Sequence, residues 1–357
     1  MITKSKKQQT WLITGGTGFL GCHMASYLLK KGCRVKLFDL EPLTEPELWG
    51  RVENYQGDVR NQAMLERIMA SCDVVLHAAM ALPLAKPDEI LDTGIRGTKT
   101  MLDTAKRLKI KRVIHISSTA VYGVPEVHPL HETDPMVGVG PYGTAKIAAE
   151  KLVNKKRKEG MVITTVRPKT FIGIGRLGVF QILFDWIRRD CKIPVIGDGD
   201  NLYQLMDVRD LCDALWLAAT QPAARANDIF NVGAKEYGTV KADLTKLFKT
   251  VKSKSRVMPT PSGPIKGTLA GLEAMNLSPL YKWIYGTADK DSFVSIEKIE
   301  KQLGWKPKYS NADALISTYK WYQKSWKQYA ETSGTTHRVA WKQGALKLAR
   351  WILEPRK

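Results

Sequence analysis

Short apolar runs alternate with longer amphipathic stretches through the first half of the chain. The short runs are rich in β-branched and aliphatic residues and predict six strands, at residues 11–14, 34–38, 52–56, 74–78, 112–117 and 162–167. The stretches between them have the spacing of amphipathic helices, as at residues 21–31, 63–70 and 98–108. Strands that alternate with helices in this order predict an α/β fold built on a doubly wound parallel sheet.

The pattern changes after residue 167. Residues 229–232 are predicted to return one strand to the sheet, and the other elements expected are helices at 178–189 and 207–219, a turn at 196–200 and a loop at 260–264. We therefore predict a smaller C-terminal lobe beside the sheet domain. The expected parts are a sheet domain of residues 10–175 completed by about 204–235, a lobe of residues 176–203 and 236–320, and a tail of residues 321–357.

Composition narrows the class of protein. Hydrophobic residues make up 44% of the 357 residues, which is enough for a sizeable core. We expect a cytoplasmic protein, because no apolar run reaches the roughly 18 residues that span a bilayer and the first residues are polar and lysine-rich. The five cysteines are odd in number and widely spaced, and the six histidines are scattered, so we expect reduced thiols and no bound metal.

The formal net charge is +20, from 55 basic and 35 acidic residues. A general basic surface, attraction to anionic substrates such as nucleotide sugars, and attraction to an anionic membrane each account for this excess. The sequence contains no nucleic-acid-binding motif, so we expect no nucleic-acid partner.

A glycine-rich segment, Thr-Gly-Gly-Thr-Gly-Phe-Leu-Gly at residues 14–21, follows the first predicted strand and opens a helix. It contains the pattern G-x-G-x-x-G at Gly16, Gly18 and Gly21. Glycine permits the tight turn and lets backbone N–H groups approach a pyrophosphate, while the helix N-terminus adds free donors. The segment therefore predicts a Rossmann-type domain that binds a dinucleotide.

Acidic and small residues follow the next strands. Asp39 ends the second strand about 20 residues beyond the glycines, where a carboxylate binds ribose hydroxyls and repels a 2′-phosphate. This favours NAD over NADP, although Asp39 as a simple turn cap is the alternative. Asp58 is placed to reach the adenine, or is an ordinary turn aspartate. Ala78 and Ala79 end the fourth strand and leave room for the cofactor, or simply pack under a helix.

Tyr142 and Lys146 are four residues apart at the start of a predicted helix and therefore share one face. A free tyrosine has a pKa near 10, and a neighbouring ammonium is expected to lower that pKa. The pair is then suited to move a proton to or from a substrate oxygen during hydride transfer. The segment Ser-Ser-Thr-Ala-Val-Tyr-Gly at residues 117–123 follows the fifth strand, where a hydroxyl is able to bind the reacting oxygen. An exposed helix face and a serine-rich turn are the alternatives.

These motifs together resemble the extended short-chain dehydrogenase/reductase family, in its NAD-dependent epimerase/dehydratase branch. The resemblance covers about residues 10–320. Further matching segments lie at residues 57–59, 77–79, 97–98, 117–123, 167–168, 196–199, 208–210, 230–233 and 303–307.

The resemblance implies a role for each matching residue. Tyr142 would be the acid/base, Lys146 its activator and a ribose ligand, and Ser118 the assisting hydroxyl. The resemblance also implies a cofactor site, whose residues would be Gly15, Gly18 and Gly21 with Phe19 and Leu20 between them, Asp58 and Val59 at the adenine, and Pro168 beside the nicotinamide.

The chain departs from the family at three places. Sugar 4,6-dehydratases carry an acidic pair where this chain has Thr119 and Ala120, and decarboxylating relatives keep a glutamate at the second position. This leaves oxidation or reduction of an alcohol or ketone, or epimerisation through a ketone. Thr170 stands where sugar-nucleotide enzymes often carry asparagine, and this difference weakens the case for a nucleotide-sugar substrate. Gly94 stands where relatives usually have another asparagine near the cofactor.

The C-terminal residues are basic and rich in tryptophan. Residues 320–357 contain nine Lys or Arg and two Glu, and six of the ten tryptophans lie after residue 280. Basic residues beside tryptophan suit a helix in an anionic membrane interface. Docking of the same helix on the protein body or on a dimer mate is the alternative. Residues 265–284, rich in leucine and alanine, are expected to cover a hydrophobic substrate or to belong to the core of the lobe.

Three functions remain open at this point. The first is a nucleotide-sugar epimerase or reductase, favoured by the resemblance and the charge. The second is a membrane-associated reductase or dehydrogenase of a lipid-like hydroxy or keto compound, favoured by Thr170 and the tail. The third is a sensor or scaffold that binds NAD without turnover, which the intact Ser118, Tyr142 and Lys146 set disfavours. A homodimer is expected by analogy with the family.

Overall fold

The computed structural model describes residues 8–83, 85–274, 282–329 and 353–354. Within these residues, eleven strands are formed. In chain order they are β1 (Thr10–Thr14), β2 (Arg34–Asp39), β3 (Glu53–Gln56), β4 (Val74–His77), β5 (Arg112–Ile116), β6 (Ile163–Pro168), β7 (Phe171–Ile172), β8 (Ile193–Ile196), β9 (Met206–Asp207), β10 (Ile229–Val232) and β11 (Val257–Thr260).

Seven of the strands form one sheet in the order β10-β6-β5-β4-β1-β2-β3, and all neighbours are parallel. The strand order reverses between β1 and β4, which is the point where doubly wound sheets bind ligands outside the carboxyl ends of their strands. The predicted fold class and the seven predicted strands are confirmed, because strands buried on both faces leave clear apolar runs in the sequence.

Helices cover both faces of the sheet and build the lobe. In chain order, the described helices are α1 (Phe19–Lys30), α2 (Gln62–Met69), α3 (Pro87–Asp92), α4 (Thr98–Arg107), α5 (Gly140–Lys158), α6 (Val179–Arg188), α7 (Val208–Thr220), α8 (Ala223–Ala226), α9 (Val240–Thr250), α10 (Ser262–Ala274), α11 (Lys282–Thr287), α12 (Glu297–Leu303) and α13 (Asn311–Tyr329). A π-helical turn, Thr93–Gly97, joins α3 to α4.

Two separate cores fix the sheet between its helices. On one face α1 and α7 bury an apolar cluster that includes Trp11, Leu28 and Leu211. On the other face α2, α4 and α5 pack over alternate residues of the same strands, in a cluster that includes Leu12 and Met101. The opposite faces of β1 are thus both buried, so the loop that follows β1 stands on a rigid base.

The lobe has its own core between α6, α9, α13 and β8, where β8 pairs with β11. The predicted loop at 260–264 is wrong: Thr260 ends β11 and α10 begins at Ser262. Pro264 is accommodated there because the first N–H groups of a helix need no intrahelical acceptor.

The predicted tail begins inside a helix. Its first residues, up to Tyr329, continue α13, and Trp321 and Trp326 pack half-buried against the core of the lobe. The rest of the tail lies outside the described residues, except for two. The backbone N–H of Lys192 donates to the carbonyl of Leu353 at 3.2 Å, and Glu354 lies 3.5 Å from Arg189. In the part of the chain that the structure describes, no helix has both the length and the apolar character needed to cross a bilayer.

Candidate active site

A cavity of about 1840 Å³ opens at the carboxyl ends of the sheet strands, between the sheet domain and the lobe. Nearly all of the predicted site residues line it. They are Gly15, Gly18, Phe19, Leu20, Asp39, Asp58, Val59, Ala78, Ala79, Ser118, Tyr142, Lys146 and Pro168. Gly21 lies behind this wall, inside the first turn of α1.

At Gly15 and Gly21 the surrounding backbone of the glycine loop leaves no room for a side chain. Gly15 has φ +71°, and a Cβ on it would lie 2.9 Å from the backbone of Ala78. A Cβ on Gly21 would lie 2.4 Å from the carbonyl oxygen of Gly16. Gly18 is the N-cap of α1 and brings no capping side chain, which leaves the N-terminus of this helix open towards the cavity. This cradle fits a dinucleotide pyrophosphate, which accepts hydrogen bonds from such N–H groups.

Asp39 ends β2 beside this loop. Its carboxylate accepts hydrogen bonds from the N–H of Thr17 at 3.0 Å and from the N–H of Glu41 at 3.3 Å. Asp39 therefore caps local backbone, as the alternative interpretation held, and it also places a negative charge on the cavity wall. These two arrangements are compatible, since each carboxylate oxygen accepts more than one hydrogen bond.

Asp58 reaches the cavity with a partner that the sequence did not indicate. Arg60 donates from Nε to Oδ1 of Asp58 at 2.9 Å and from Nη1 to Asp92 at 2.6 Å. This hydrogen-bonded guanidinium lowers the pKa of Asp58. Val59 is buried, and a Cβ on Gly97 would lie 2.7 Å from its Cγ1. The segment after β3 therefore packs directly on the π-helical turn.

Ser118, Tyr142 and Lys146 come together on the opposite wall. Ser118 accepts a hydrogen bond from the N–H of Ala120 at 3.1 Å, which caps a short 3-10 turn after β5, and its hydroxyl hydrogen-bonds Tyr142. Lys146 Nζ lies 5.7 Å from the centroid of the Tyr142 ring and donates to the carbonyl of Ile116 at 2.8 Å. The predicted i, i+4 helix face is thus the face that α5 turns towards the cavity.

The pKa of Tyr142 shifts in the opposite direction to the expected one. Burial raises the pKa of Tyr142 to about 12, and the Ser118 hydrogen bond and the positive charge of Arg176 oppose that rise. The expected lowering of the Tyr142 pKa by Lys146 is not found, because the Lys146 ammonium is directed at the backbone carbonyl of Ile116. Burial also lowers the pKa of Lys146 to about 8, with Glu150 acting in the opposite direction.

Arg176 is a site residue that the sequence analysis missed. It is buried, and its guanidinium carbon lies 5.3 Å from the centroid of Phe19 and 5.6 Å from that of Phe171. Two aromatic faces stabilise a cation at these distances. No local motif marks this arginine, since the fold brings it to the Tyr142 wall from outside the sheet domain.

A buried ion pair supports α5 from below. Glu150 is fully buried and lies 2.6 Å from Arg167 through Oε2 and Nη2, while Ser117 donates to its other oxygen at 2.5 Å. Arg167 also donates to the hydroxyl of Tyr122 at 2.8 Å. Glu150 was missed, although its position four residues after Lys146 places it on the same helix face.

The family departures also have structural correlates. The hydroxyl of Thr119 donates to the carbonyl of Pro168 at 3.4 Å, and Ala120 is buried, so neither position places a carboxylate by the reacting wall. At Gly94, a Cβ would lie 2.9 Å from Ala145 and about 3.0 Å from Met80. The π-helical turn therefore packs against α5 only because position 94 has no side chain.

Over the described residues, no three His, Cys, Asp or Glu side chains cluster as metal ligands would.

Fold and site together define a dinucleotide-binding α/β enzyme. The chain belongs to the NAD dependent epimerase/dehydratase family, which matches residues 11–233. This confirms the predicted family, the assignment as an enzyme and NAD as the cofactor.

Individual proteins are also similar to this chain in sequence or in fold. An uncharacterized protein of Sinorhizobium fredii is 34% identical over 97% of this chain and 86% of its own length. A UDP-glucose 4-epimerase of Lactobacillus helveticus is 28% identical over 90% of this chain and 99% of its own. The crystal structure of UDP-glucose 4-epimerase from Thermotoga maritima with UDP-glucose has a TM-score of 0.75 at 24% identity and covers 89% of this chain and 100% of that chain, a similarity of fold.

Proposed function

We propose that the protein is an NAD-dependent epimerase that inverts a secondary alcohol carbon of a nucleotide sugar through a transient ketone. The observation that carries the proposal is the meeting of Ser118, Tyr142 and Lys146 in the cavity that also holds the glycine loop. The matching UDP-glucose 4-epimerase of Lactobacillus helveticus, aligned over almost its whole length, supports the substrate class.

In this mechanism Tyr142 exchanges a proton with the substrate oxygen. NAD would be held by the glycine loop and Asp39, and when bound it would supply reversible hydride transfer at the alcohol carbon. The raised pKa keeps the Tyr142 phenol protonated at neutral pH, so it holds the proton that the ketone oxygen takes up when the hydride returns. Removing the proton from the starting alcohol requires tyrosinate, which the Ser118 hydrogen bond and the Arg176 charge favour. Lys146 adds a buried donor beneath the ring and holds the helix face in register with β5.

Thr119 and Ala120 argue for epimerisation rather than dehydration. Loss of water from a sugar needs one group to remove a carbon-bound proton and another to protonate the leaving hydroxyl. The side chain of Thr119 is committed to the carbonyl of Pro168, and Ala120 has no polar group. The proposed reaction needs neither group, because proton and hydride return to the same carbonyl.

The test is interconversion of UDP-glucose and UDP-galactose by the purified protein with NAD. We expect Tyr142→Phe to lower kcat by about 10³-fold, as for loss of a general acid/base, while NAD binding measured by fluorescence is unchanged. Tyr237→Phe is the matched control, since Tyr237 packs on Phe293 outside the cavity. Full activity of Tyr142→Phe would overturn the mechanism. Turnover of hydroxy or keto lipids instead of nucleotide sugars would overturn the substrate class.

A further inference from the structure

Lys169 is a buried cation at the end of the strand that borders the catalytic wall. It follows β6 directly, its backbone N–H donates to the carbonyl of Val232 at 2.9 Å, and only 2% of its surface is exposed. Its Nζ donates to Ser292 Oγ at 2.7 Å and lies 5.3 Å from the centroid of the Tyr203 ring. A neutral hydroxyl and a ring face are thus the neighbours that the structure gives to this ammonium.

No acidic side chain of the described residues forms an ion pair with Lys169. Two other buried or half-buried cations of this region do have such a partner. Arg167 pairs with Glu150 at 2.6 Å, and Arg209 with Asp207 at 2.7 Å. Burial lowers the pKa of Lys169 to about 7, and no acidic group opposes that effect. A cation buried without a counter-charge is costly, and such groups concentrate where a ligand supplies the missing charge.

The surroundings of Lys169 are shaped for a small anion. Lys169, Thr170 and Tyr203 all line the active-site cavity. The Tyr203 hydroxyl hydrogen-bonds Thr170 and Thr287, and the ring that carries this hydroxyl is the one that the Lys169 ammonium faces. An ammonium still has two donors to offer after the bond to Ser292, and one positive charge balances one carboxylate. This single ammonium balances the whole charge of a carboxylate but only part of the charge of a diphosphate.

The location decides which part of the substrate meets this group. The residue before Lys169 is Pro168, whose carbonyl accepts from Thr119, the residue after the Ser118 hydroxyl. Lys169 is therefore next in the chain to a residue of the catalytic wall, and both residues line the same cavity as Ser118. On this placement, an anion in contact with Lys169 is assigned to the sugar ring.

We propose that Lys169, with Thr170 and Tyr203, forms a subsite for a carboxylate carried on the sugar, so that the substrate is a nucleotide-linked uronic acid. This inference rests on the proposed function and specifies its substrate class. Binding of the carboxylate replaces the missing counter-charge of Lys169, and a neutral hexose would leave that ammonium uncompensated.

The experiment compares UDP-glucuronic acid with UDP-glucose in binding and in turnover. We expect wild-type protein loaded with NAD to bind UDP-glucuronic acid at least about tenfold more tightly in calorimetry, and to show the same preference in kcat/KM, chiefly through KM. Lys169→Met is expected to remove at least about tenfold of the preference, and Lys169→Arg to retain part of it because the charge remains. Lys290→Met makes the same change on an exposed lysine outside the cavity and should leave the preference intact.

The two proposals fail in different ways. Equal binding of both nucleotides by the wild type, or a preference that survives Lys169→Met, would overturn the subsite while epimerisation of UDP-glucose still supports the function. Lys169-dependent binding of UDP-glucuronic acid without turnover would support the subsite and overturn the epimerase. Lys169→Gln is the second variant if Lys169→Met does not fold, since it removes the charge and keeps a polar end.

Discussion

Replacing Glu150 with glutamine tests whether the buried ion pair under α5 holds the catalytic wall together. Glu150 is fully buried, and its carboxylate receives hydrogen bonds from Arg167 Nε at 2.9 Å, Arg167 Nη2 at 2.6 Å and Ser117 at 2.5 Å. The Glu150→Gln variant keeps the shape but leaves the Arg167 guanidinium buried without a counter-charge. Removing one partner of a buried pair typically costs 3–5 kcal/mol.

We expect the free energy of unfolding to fall by about 3 kcal/mol, because the amide oxygen retains part of the hydrogen bonding. For a chain of this size that corresponds to a decrease in Tm of about 4 °C. Calorimetry with bound NAD removed measures the change, and urea unfolding followed by tryptophan fluorescence provides a second value. Glu297→Gln is the matched control, since its partner Lys301 and Glu297 itself are exposed and the pair should be silent.

The double variant Glu150→Gln/Arg167→Met separates the charge effect from general damage to packing. It removes both charges, so we expect it to recover a large part of the lost stability. An unchanged Tm for Glu150→Gln would refute the reasoning, and a double variant less stable than the single one would show that packing rather than charge sets the effect.

Four further outcomes follow from the structure. Gly15→Ala should weaken NAD binding more than tenfold in a fluorescence titration, because of the positive φ and the contact with Ala78, whereas Gly32→Ala, with a similar φ and open space, should not. NAD should bind more tightly than NADP, and Asp39→Asn should narrow the difference; tighter NADP binding by the wild type would contradict the role of Asp39. In urea unfolding below pH 7, Lys169→Met should raise the free energy of unfolding by about 3 kcal/mol, because the wild type buries a charged lysine there. This gain should vanish as the pH rises towards 10.5, where the lysine of the unfolded chain also loses its proton. Removal of residues 335–357 should abolish salt-sensitive sedimentation with anionic liposomes, and full-length protein that ignores such liposomes at low salt would exclude a membrane role for the tail.

The sequence predicted what is local and repeated. The sheet strands leave apolar runs because both of their faces are buried, and the glycine loop leaves a motif because its backbone conformation excludes side chains. Tyr142 and Lys146 were predicted from their spacing on one helix behind the glycine motif, and Ser118 was predicted from the resemblance to the family.

The groups that modulate this site were harder to predict. Arg176 and Lys169 interact through contacts made only after the lobe packs on the sheet, and a lysine at a strand end is usually exposed. The sign of the Tyr142 pKa shift was also missed, because the loss of solvent around a phenol depends on the completed wall rather than on its helical neighbour.

The parallel pairing of β10 with β6 has a consequence for synthesis of the protein. Until Ile229–Val232 is made, β6 is the edge of the sheet, with Ile163–Pro168 lacking a neighbour on one side. Sheet edges with unpaired backbone groups are prone to pair with other chains. While the chain leaves the ribosome, the residues between β6 and β10 must therefore emerge before the edge is covered, and factors that bind nascent chains have their clearest target in that interval.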